Sequence, residues 1–191
     1  EVQPGFARTG QAFFGFARHG IVPDMITMGK PMGNGIPISG LAAKEDVLAA
    51  FSDKLPYFNT FGGNPVSIAA AQAVLKYIKD ENLQEHCKKA GAALLKALKE
   101  VQERHPESVG DVRGAGLFLG FEFVKNDGNK TPDKDMALNV IEMLRDEHIL
   151  TSVIGHYGNI LKLRPPMVFS ENDIDWFATS LDKCITKLEN K

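Results

Sequence analysis

The sequence predicts a mixed α/β protein of two parts, and three features lead to that prediction. Short apolar runs bounded by glycine and proline indicate strands, whereas longer alanine-rich or amphipathic stretches indicate helices. After Pro106 the residue pattern changes, because residues 109–124 combine strand-like runs with four glycines. With 191 residues, of which 43% are hydrophobic and 24% charged, the chain can bury one good core or two small ones.

The first part begins with loops and strands. A short helix is predicted within residues 12–20, and residues 23–29 form an apolar run of the kind found in buried parallel strands. That run ends at Lys30, which is followed by a glycine-rich turn. A second short strand is predicted at residues 39–43 and a helix at residues 45–51.

A second glycine-rich loop, residues 59–64, leads into a long helix. Asn64 is a suitable N-cap and Pro65 a suitable first helical residue, and the helix should end near Asp80. Its apolar residues recur every four positions with few charges between them, so we expect most of this helix to be buried.

The second part follows an amphipathic helix at residues 83–104. We expect residues 83–107 to bridge two domains and residues 108–191 to form a small α/β domain. Its predicted elements are strands within 109–124, a helix at 133–147, strands at 149–154 and 159–163, and a closing amphipathic helix from about Ile174 to Leu188.

Charge and cysteine content restrict the possible partners and location. The formal net charge of −2 is too small to indicate nucleic acid or an anionic membrane, so a small molecule is the expected ligand. No apolar run approaches the length of a membrane-spanning helix. Cys87 and Cys184 occupy apolar positions of predicted helices, which favours two buried free thiols and a cytoplasmic location.

Lys30 is the first candidate for chemistry. A lysine between a buried strand and a turn with glycines at positions 33 and 35 has no obvious role in solubility, and a ligand can approach the backbone there. We expect partial desolvation to make its neutral amine available as a nucleophile or base. The alternative is a lysine that extends from the strand end into water.

Two further groups of residues could bind anions. The loop at residues 59–64 offers the Thr60 hydroxyl, backbone N–H groups and the N-terminus of the following helix, although a plain turn has the same composition. Strand alternation places Lys162 and Arg164 on one face, where two cations could bind one anion. A solvated strand face explains that pair equally well.

The motifs together resemble the class III aminotransferases, in the family's order and over nearly the whole chain. The family's strand end Asp-Glu-x-Gln, its Gly-Phe-Gly-Arg-Thr-Gly and its Pro-Asp-Ile correspond to Glu1-Val2-Gln3, residues 5–10 and residues 23–25. The Schiff-base lysine with glycines behind it corresponds to residues 28–35, and Thr-Phe-Gly-Gly-Asn-Pro is present unchanged at residues 60–65.

The resemblance implies a fold type I, pyridoxal-phosphate-dependent transferase, in which residues 1–82 are the C-terminal part of the large, cofactor-binding domain. Lys30 would then form the Schiff base and shuttle a proton, Val2 would pack on the pyridine ring, and Gln3 would lie near its 3′-oxygen. Thr60 would bind the cofactor phosphate of the neighbouring subunit. A homodimer with shared active sites is therefore expected, acting on an amine or amino acid and a 2-oxo acid.

Two departures from the family pattern limit these expectations. The aspartate that holds the pyridinium nitrogen would precede Glu1, so we expect this polypeptide alone to lack transaminase activity, and a non-catalytic fragment is an alternative. Lys162 stands where members that bind an α-carboxylate have arginine in Arg-x-x-Pro-Pro. The sequence around Lys30 and Lys162 also resembles the phospholyase branch, which eliminates phosphate from phosphorylated amines. Other chemistry on the same cofactor stays open.

Overall fold

The computed structural model describes residues 1–190, which form two compact units, Glu1–Glu85 and a second unit from His86 onward. Both contain helices and strands, so the mixed α/β prediction is confirmed. The predicted division at residues 82/83 and 107/108 stays a prediction about domains of a longer protein.

The first unit contains a two-stranded sheet and two complete helices. Its elements are β1 (Met25–Met28), β2 (Gly40–Ala43), α1 (Glu45–Ser52) and α2 (Pro65–Asp80). The predicted helix within residues 12–20 is only a 3₁₀ turn, Gly15–His19, that ends at Gly20 in the left-handed region. The long helix α3 (Leu83–Arg104) starts at the end of this unit and continues through the second.

Strand β1 differs from the prediction in its partner and in its burial. It pairs antiparallel with β2, Met25 opposite Ala43, and its residues are exposed or half-buried. The expectation of a buried parallel strand is therefore wrong for the described chain, because an apolar run between turn residues does not specify strand direction. Lys44 closes the pair through its ammonium, 2.6 Å from Asp24 Oδ1, and this hydrogen bond lowers the pKa of Asp24.

Helix α2 begins as predicted but is not buried as predicted. Asn64 Oδ1 accepts hydrogen bonds from the N–H groups of Val66 and Ser67, which caps the first turn. Within α2, however, Ile78 alone is buried, and Val66 is 70% exposed. Apolar residues around all sides of a helix predict contacts on all sides, and the first unit supplies them on only one side.

The second unit contains a four-stranded antiparallel sheet covered by helices. Besides most of α3, its elements are β3 (Val109–Ala115), β4 (Phe118–Phe123), α4 (Lys134–Asp146), β5 (Ser152–Ile154), β6 (Ile160–Leu163) and α5 (Glu171–Glu189). The strand order is β3-β4-β6-β5. The predicted strand at 149–154 is shorter than expected and starts at Ser152.

One continuous core stabilises the second unit. Alternate residues of β4 and β6 are buried, including Phe121, Phe123 and Leu161, and they pack with apolar residues of α3, α4 and α5. The predicted apolar face of α3 is confirmed, since all its members are buried: Leu83, Cys87, Ala90, Leu94, Leu98 and Val101. Cys87 and Cys184 are both buried and free, as predicted.

Two sets of contacts hold α3 in the second unit, one at Gly91 and one at His105, which follows its last residue. Gly91 lets α3 approach the loop between β3 and β4, because a Cβ there would lie 2.3 Å from the backbone of Gly116. At the end of α3, the buried His105 lies between two carboxylates of α5, with Nδ1 2.7 Å from Glu189 Oε2 and Nε2 3.1 Å from Asp182 Oδ1.

Candidate functional site

Lys30 occupies a strained turn directly behind β1. Gly29 is extended, and Lys30 then adopts φ +34° as the first residue of a 3₁₀ turn, Lys30–Met32. Residues other than glycine seldom adopt positive φ, and such strain is concentrated at functional sites. Within residues 1–190 Lys30 shares a positive φ with six other non-glycine residues, and it is the one of them that the sequence marks as a candidate for chemistry.

The side chain of Lys30 is exposed, and within residues 1–190 it makes no hydrogen bond or ion pair. The predicted desolvation is therefore wrong for the described chain. Its physical basis was a buried parallel strand, whereas the two-stranded sheet leaves the end of β1 uncovered. What the structure provides is an amine without competing partners.

The loop after Lys30 is compact and tied to α2. A Cβ at Gly33 would lie 2.1 Å from the carbonyl oxygen of Ile36, so only glycine fits there. Ser67 in the first turn of α2 donates its hydroxyl hydrogen to the Pro37 carbonyl at 3.2 Å. The two glycine-rich loops of the sequence are thus connected through α2.

Val2 and Gln3, both half-buried, follow a residue that the sequence analysis overlooked. The Glu1 carboxylate accepts hydrogen bonds from the N–H groups of Gly15 at 2.9 Å and Phe16 at 3.1 Å. Its amino nitrogen lies 2.6 Å from the carbonyl oxygen of Thr27 in β1. The backbone that carries Val2 and Gln3 therefore begins beside β1, the strand that leads to Lys30.

Thr60 lies in an exposed turn whose N–H groups are less available than the sequence indicated. Those of Phe61 and Gly62 donate to Asn59 Oδ1 at 3.1 and 3.0 Å, and that of Asn64 donates to the Phe61 carbonyl. The Thr60 hydroxyl makes no hydrogen bond within residues 1–190, so it is available to a ligand.

The N-terminus of α2 is also less open to an anion than predicted. Pro65 has no N–H group, and the N–H groups of Val66 and Ser67 are bound to Asn64. The side-chain cap thus satisfies the donors that the sequence analysis had assigned to a phosphate. A phosphate in this region would therefore rely on the Thr60 hydroxyl more than on the N–H groups of Val66 and Ser67.

Lys162 and Arg164 lie in the second unit, beside a pocket of about 430 Å³. They alternate with the buried residues Leu161 and Leu163, so both project from the face predicted by the strand period. The pocket wall also includes Thr151 and Ser152, and none of the described side chains that line it is acidic.

These groups are compatible with pyridoxal phosphate. An unpaired amine at Lys30 suits the aldehyde, the Thr60 hydroxyl suits the phosphate, and the side chains of Val2 and Gln3 suit an aromatic ring with a polar substituent. In the described part of the chain, no three His, Cys, Asp or Glu side chains are arranged to bind a metal. No described helix is long and apolar enough to cross a bilayer.

Curated relatives match almost the entire chain. It is 44% identical over 189 residues to ethanolamine-phosphate phospho-lyase homolog 1 of Caenorhabditis elegans, a match that covers 97% of the chain and 40% of the relative. It is 39% identical to alanine–glyoxylate aminotransferase 2 homolog 2, mitochondrial, of Arabidopsis thaliana, covering 98% of the chain and 39% of that protein. The chain thus spans about two fifths of the length of these relatives.

Solved structures share the fold. A phospholyase from Arthrobacter in complex with phosphoethanolamine has a TM-score of 0.93 and 39% identity, covering 97% of this chain and 44% of that one. A transaminase from the marine bacterium Virgibacillus has a TM-score of 0.90 and 31% identity, covering 100% and 44%. The family model for class III aminotransferases matches residues 1–185. The chain therefore belongs to the class III aminotransferase family, whose cofactor is pyridoxal phosphate.

Proposed function

We propose that the full-length protein containing this chain is a pyridoxal-phosphate-dependent aminotransferase that moves an amino group between an amine or amino acid and a 2-oxo acid. The observation that carries the proposal is Lys30: an exposed amine at φ +34°, at the end of a strand, in the position of the family's Schiff-base lysine. When bound, the cofactor supplies an electron sink for the carbanion formed at the substrate Cα.

Lys30 has two tasks in this reaction. Its Nζ would hold the cofactor covalently through the aldehyde carbon, and the same nitrogen would carry a proton to and from the substrate Cα. The strained turn supports both tasks, since the positive φ of Lys30 and the compact loop behind it restrict the backbone that carries this side chain.

Val2 and Gln3 would orient the cofactor ring. A branched apolar side chain can pack against the ring face, and the Gln3 amide can donate a hydrogen bond to the 3′-oxygen. The two Glu1 contacts with Gly15 and Phe16 support this assignment, because they restrict the path of the backbone that carries both residues.

We further propose a homodimer, in which Thr60 binds the cofactor phosphate of the neighbouring subunit. The segment around Thr60 supports this, because its large apolar side chains are exposed, Phe58 at 87% and Phe61 at 81%. Exposed apolar clusters of this kind mark association surfaces. We place the full-length dimer in the cytoplasm, because both free thiols suit a reducing compartment.

Lys162 and Arg164 are the proposed substrate-binding residues. Two cations, two hydroxyl side chains and apolar walls make a pocket that favours an anionic substrate group, and no acidic side chain in its described wall competes. This assignment concerns the second unit by itself.

A second candidate function is elimination of phosphate from a phosphorylated amine. The specific observation is Lys162 in the place of the family's carboxylate-binding arginine, together with Arg164 on the same face. A lysine offers a point charge in place of a bidentate fork, which weakens carboxylate recognition but still suits phosphate. Two similar proteins, one curated and one of solved structure, are named as phospholyases.

One experiment separates the two reactions. The full-length protein with cofactor is incubated with phosphoethanolamine while released phosphate is measured, and with alanine and a 2-oxo acid while the new amino acid is measured. We expect the second reaction with wild-type protein, and neither reaction with Lys30→Ala. Phosphate release without amino transfer would replace the first proposal by the second.

A further inference from the structure

Asn59, the residue before Thr60, organises the turn that follows through its side chain. Asn59 Oδ1 accepts hydrogen bonds from Phe61 N–H at 3.1 Å and from Gly62 N–H at 3.0 Å. The Gly62 N–H also points to the main-chain carbonyl of Asn59, at 3.3 Å. One side-chain oxygen thus fixes the two peptide groups that follow Thr60, as asparagine commonly does in turns.

The packing of Gly62 shows that the turn is built around the Asn59 side chain. A Cβ at Gly62 would lie 3.1 Å from Asn59 Cγ and 3.2 Å from Asn59 Cβ, closer than most real contacts of that kind. The absence of a side chain at position 62 therefore lets the asparagine lie under the turn. Gly63, at φ +71°, completes the reversal of the chain.

The other end of the Asn59 amide connects the turn to a neighbouring element. Its Nδ2 donates to Tyr57 Oη at 3.2 Å, and the Tyr57 ring lies edge-on to that of Phe51 in α1, with ring centroids 6.1 Å apart. The Asn59 amide nitrogen is thus fixed by Tyr57, while the amide oxygen fixes the turn.

We propose that Asn59 is a positioning residue that sets the orientation of Thr60 for its phosphate contact. The inference rests on the proposed function, because it assumes that Thr60 binds the cofactor phosphate. Asn59 satisfies the N–H groups of Phe61 and Gly62, so they do not bind the phosphate themselves. Its contribution is to restrict the backbone that follows Thr60 before the phosphate arrives.

The test compares cofactor affinity in variants of the full-length dimer. We expect Asn59→Ala to weaken cofactor binding about tenfold, the loss that corresponds to one or two hydrogen bonds that preorganise a site. Asn59→Ser should recover part of the affinity, since a serine hydroxyl can accept one of the two N–H groups. Tyr57→Phe should cost about two- to threefold, because the turn itself remains intact. Asn126→Ala, an exposed asparagine that donates to Glu107, is the matched control and should bind like wild type.

Three measurements make the result specific: the cofactor dissociation constant, the ³¹P chemical shift of the bound phosphate, and thermal unfolding of the cofactor-free protein. The proposal expects the first two to change in the order Ala, Ser, wild type while the unfolding temperature stays constant. If Asn59→Ala does not fold, Asn59→Ser decides, because affinity equal to wild type would contradict the proposal.

Thr60→Val separates this inference from the function on which it rests. If Thr60→Val weakens cofactor binding and Asn59→Ala binds like wild type, the positioning role is wrong and the proposed Thr60 contact stands. If Thr60→Val binds like wild type, the phosphate contact is wrong and the inference on Asn59 falls with it, whereas labelling of Lys30 by the cofactor would still test the main proposal.

Discussion

The two units of the chain differ in how many apolar side chains they bury and in which candidate site residues they carry. From His86 onward the unit has a continuous core, with Phe121, Leu161 and Leu181 fully buried between sheet and helices. In residues 1–85 the buried apolar side chains are few, namely Phe6, Ala7, Ile78 and Leu83. Yet that first unit carries Lys30, Thr60 and the glycine-rich turns.

The proposed roles of the two units offer a physical reason for this difference. A site that receives a cofactor needs loops with unusual backbone angles and unpaired polar groups, and both features reduce local stability. A core needs the opposite, namely regular strands and helices with complementary faces. Substitutions of the same type should therefore have different effects in the two units.

The largest expected effect compares two phenylalanines. Phe121→Ala in β4 removes a fully buried ring and should lower the free energy of unfolding by about 3–5 kcal/mol. Phe58→Ala, at a residue that is 87% exposed, should change it by about 0.5 kcal/mol or less in the isolated chain. Urea unfolding followed by circular dichroism measures both free energies. Similar losses in the two variants would contradict the contrast between a unit with a continuous core and one with few buried apolar side chains.

His105 offers the next largest effect. His105→Ala removes both carboxylate contacts at the ends of α3 and α5, so we expect a loss of about 2–3 kcal/mol. Asp182 retains Arg104 at 2.7 Å, and Glu189 retains Ser108 at 2.6 Å, which limits the damage. His156→Ala, on the exposed β5–β6 connection, serves as control. If His105→Ala lowered the free energy of unfolding no more than His156→Ala does, the buried cluster would contribute nothing to stability.

A smaller effect of opposite sign is expected in the first unit. Ala7 is buried at φ +69°, where the family motif has glycine. Ala7→Gly relieves left-handed strain of about 1–2 kcal/mol and costs about 0.5–1 kcal/mol of backbone entropy, so the net gain should lie between about 0 and 1.5 kcal/mol. A shift of thermal unfolding to lower temperature would show that the Ala7 methyl contributes more through packing than it costs in strain.

The smallest effect concerns the exposed pair that closes the β1–β2 sheet. Lys44 lowers the pKa of Asp24, so the pair stabilises the folded state at neutral pH and loses this contribution as the pH falls through the lowered pKa of Asp24. Asp24→Asn should remove that pH dependence with little effect at neutral pH, because exposed pairs contribute little. Unfolding titrations of both proteins over the carboxylate range, about pH 2 to 7, measure this, and identical pH profiles for wild type and Asp24→Asn would show that the pair contributes nothing.

Helix boundaries and the core of the second unit could be predicted from the sequence because local chemistry determines them. Asn64 and Pro65 specify where α2 begins, and the spacing of Leu94, Leu98 and Val101 specifies the buried face of α3. Burial in the first unit could not be predicted in the same way, because an apolar pattern shows that a surface needs a partner but not whether the same unit supplies it. Val66 in α2 and Met25 in β1 illustrate this, since both remain more than half exposed.

Motif order points to Lys30 and Thr60 as candidate site residues, and their roles stay predictions. The contacts of Glu1 and Asn59 could not be predicted, because they depend on which backbone N–H groups the two side chains reach. The same contacts explain why the phosphate-loop prediction overestimated the free N–H groups. A motif specifies which residues are present, but hydrogen bonds within the loop decide which donors remain available.

The most direct test of the central claim is to trap the cofactor on the protein. The full-length protein is loaded with pyridoxal phosphate, reduced with borohydride, digested and analysed by mass spectrometry. We predict that the phosphopyridoxyl group is attached to the peptide containing Lys30, and that Lys30→Ala abolishes this labelling. Stoichiometric labelling of a different lysine, or cofactor binding that borohydride does not trap, would contradict the account.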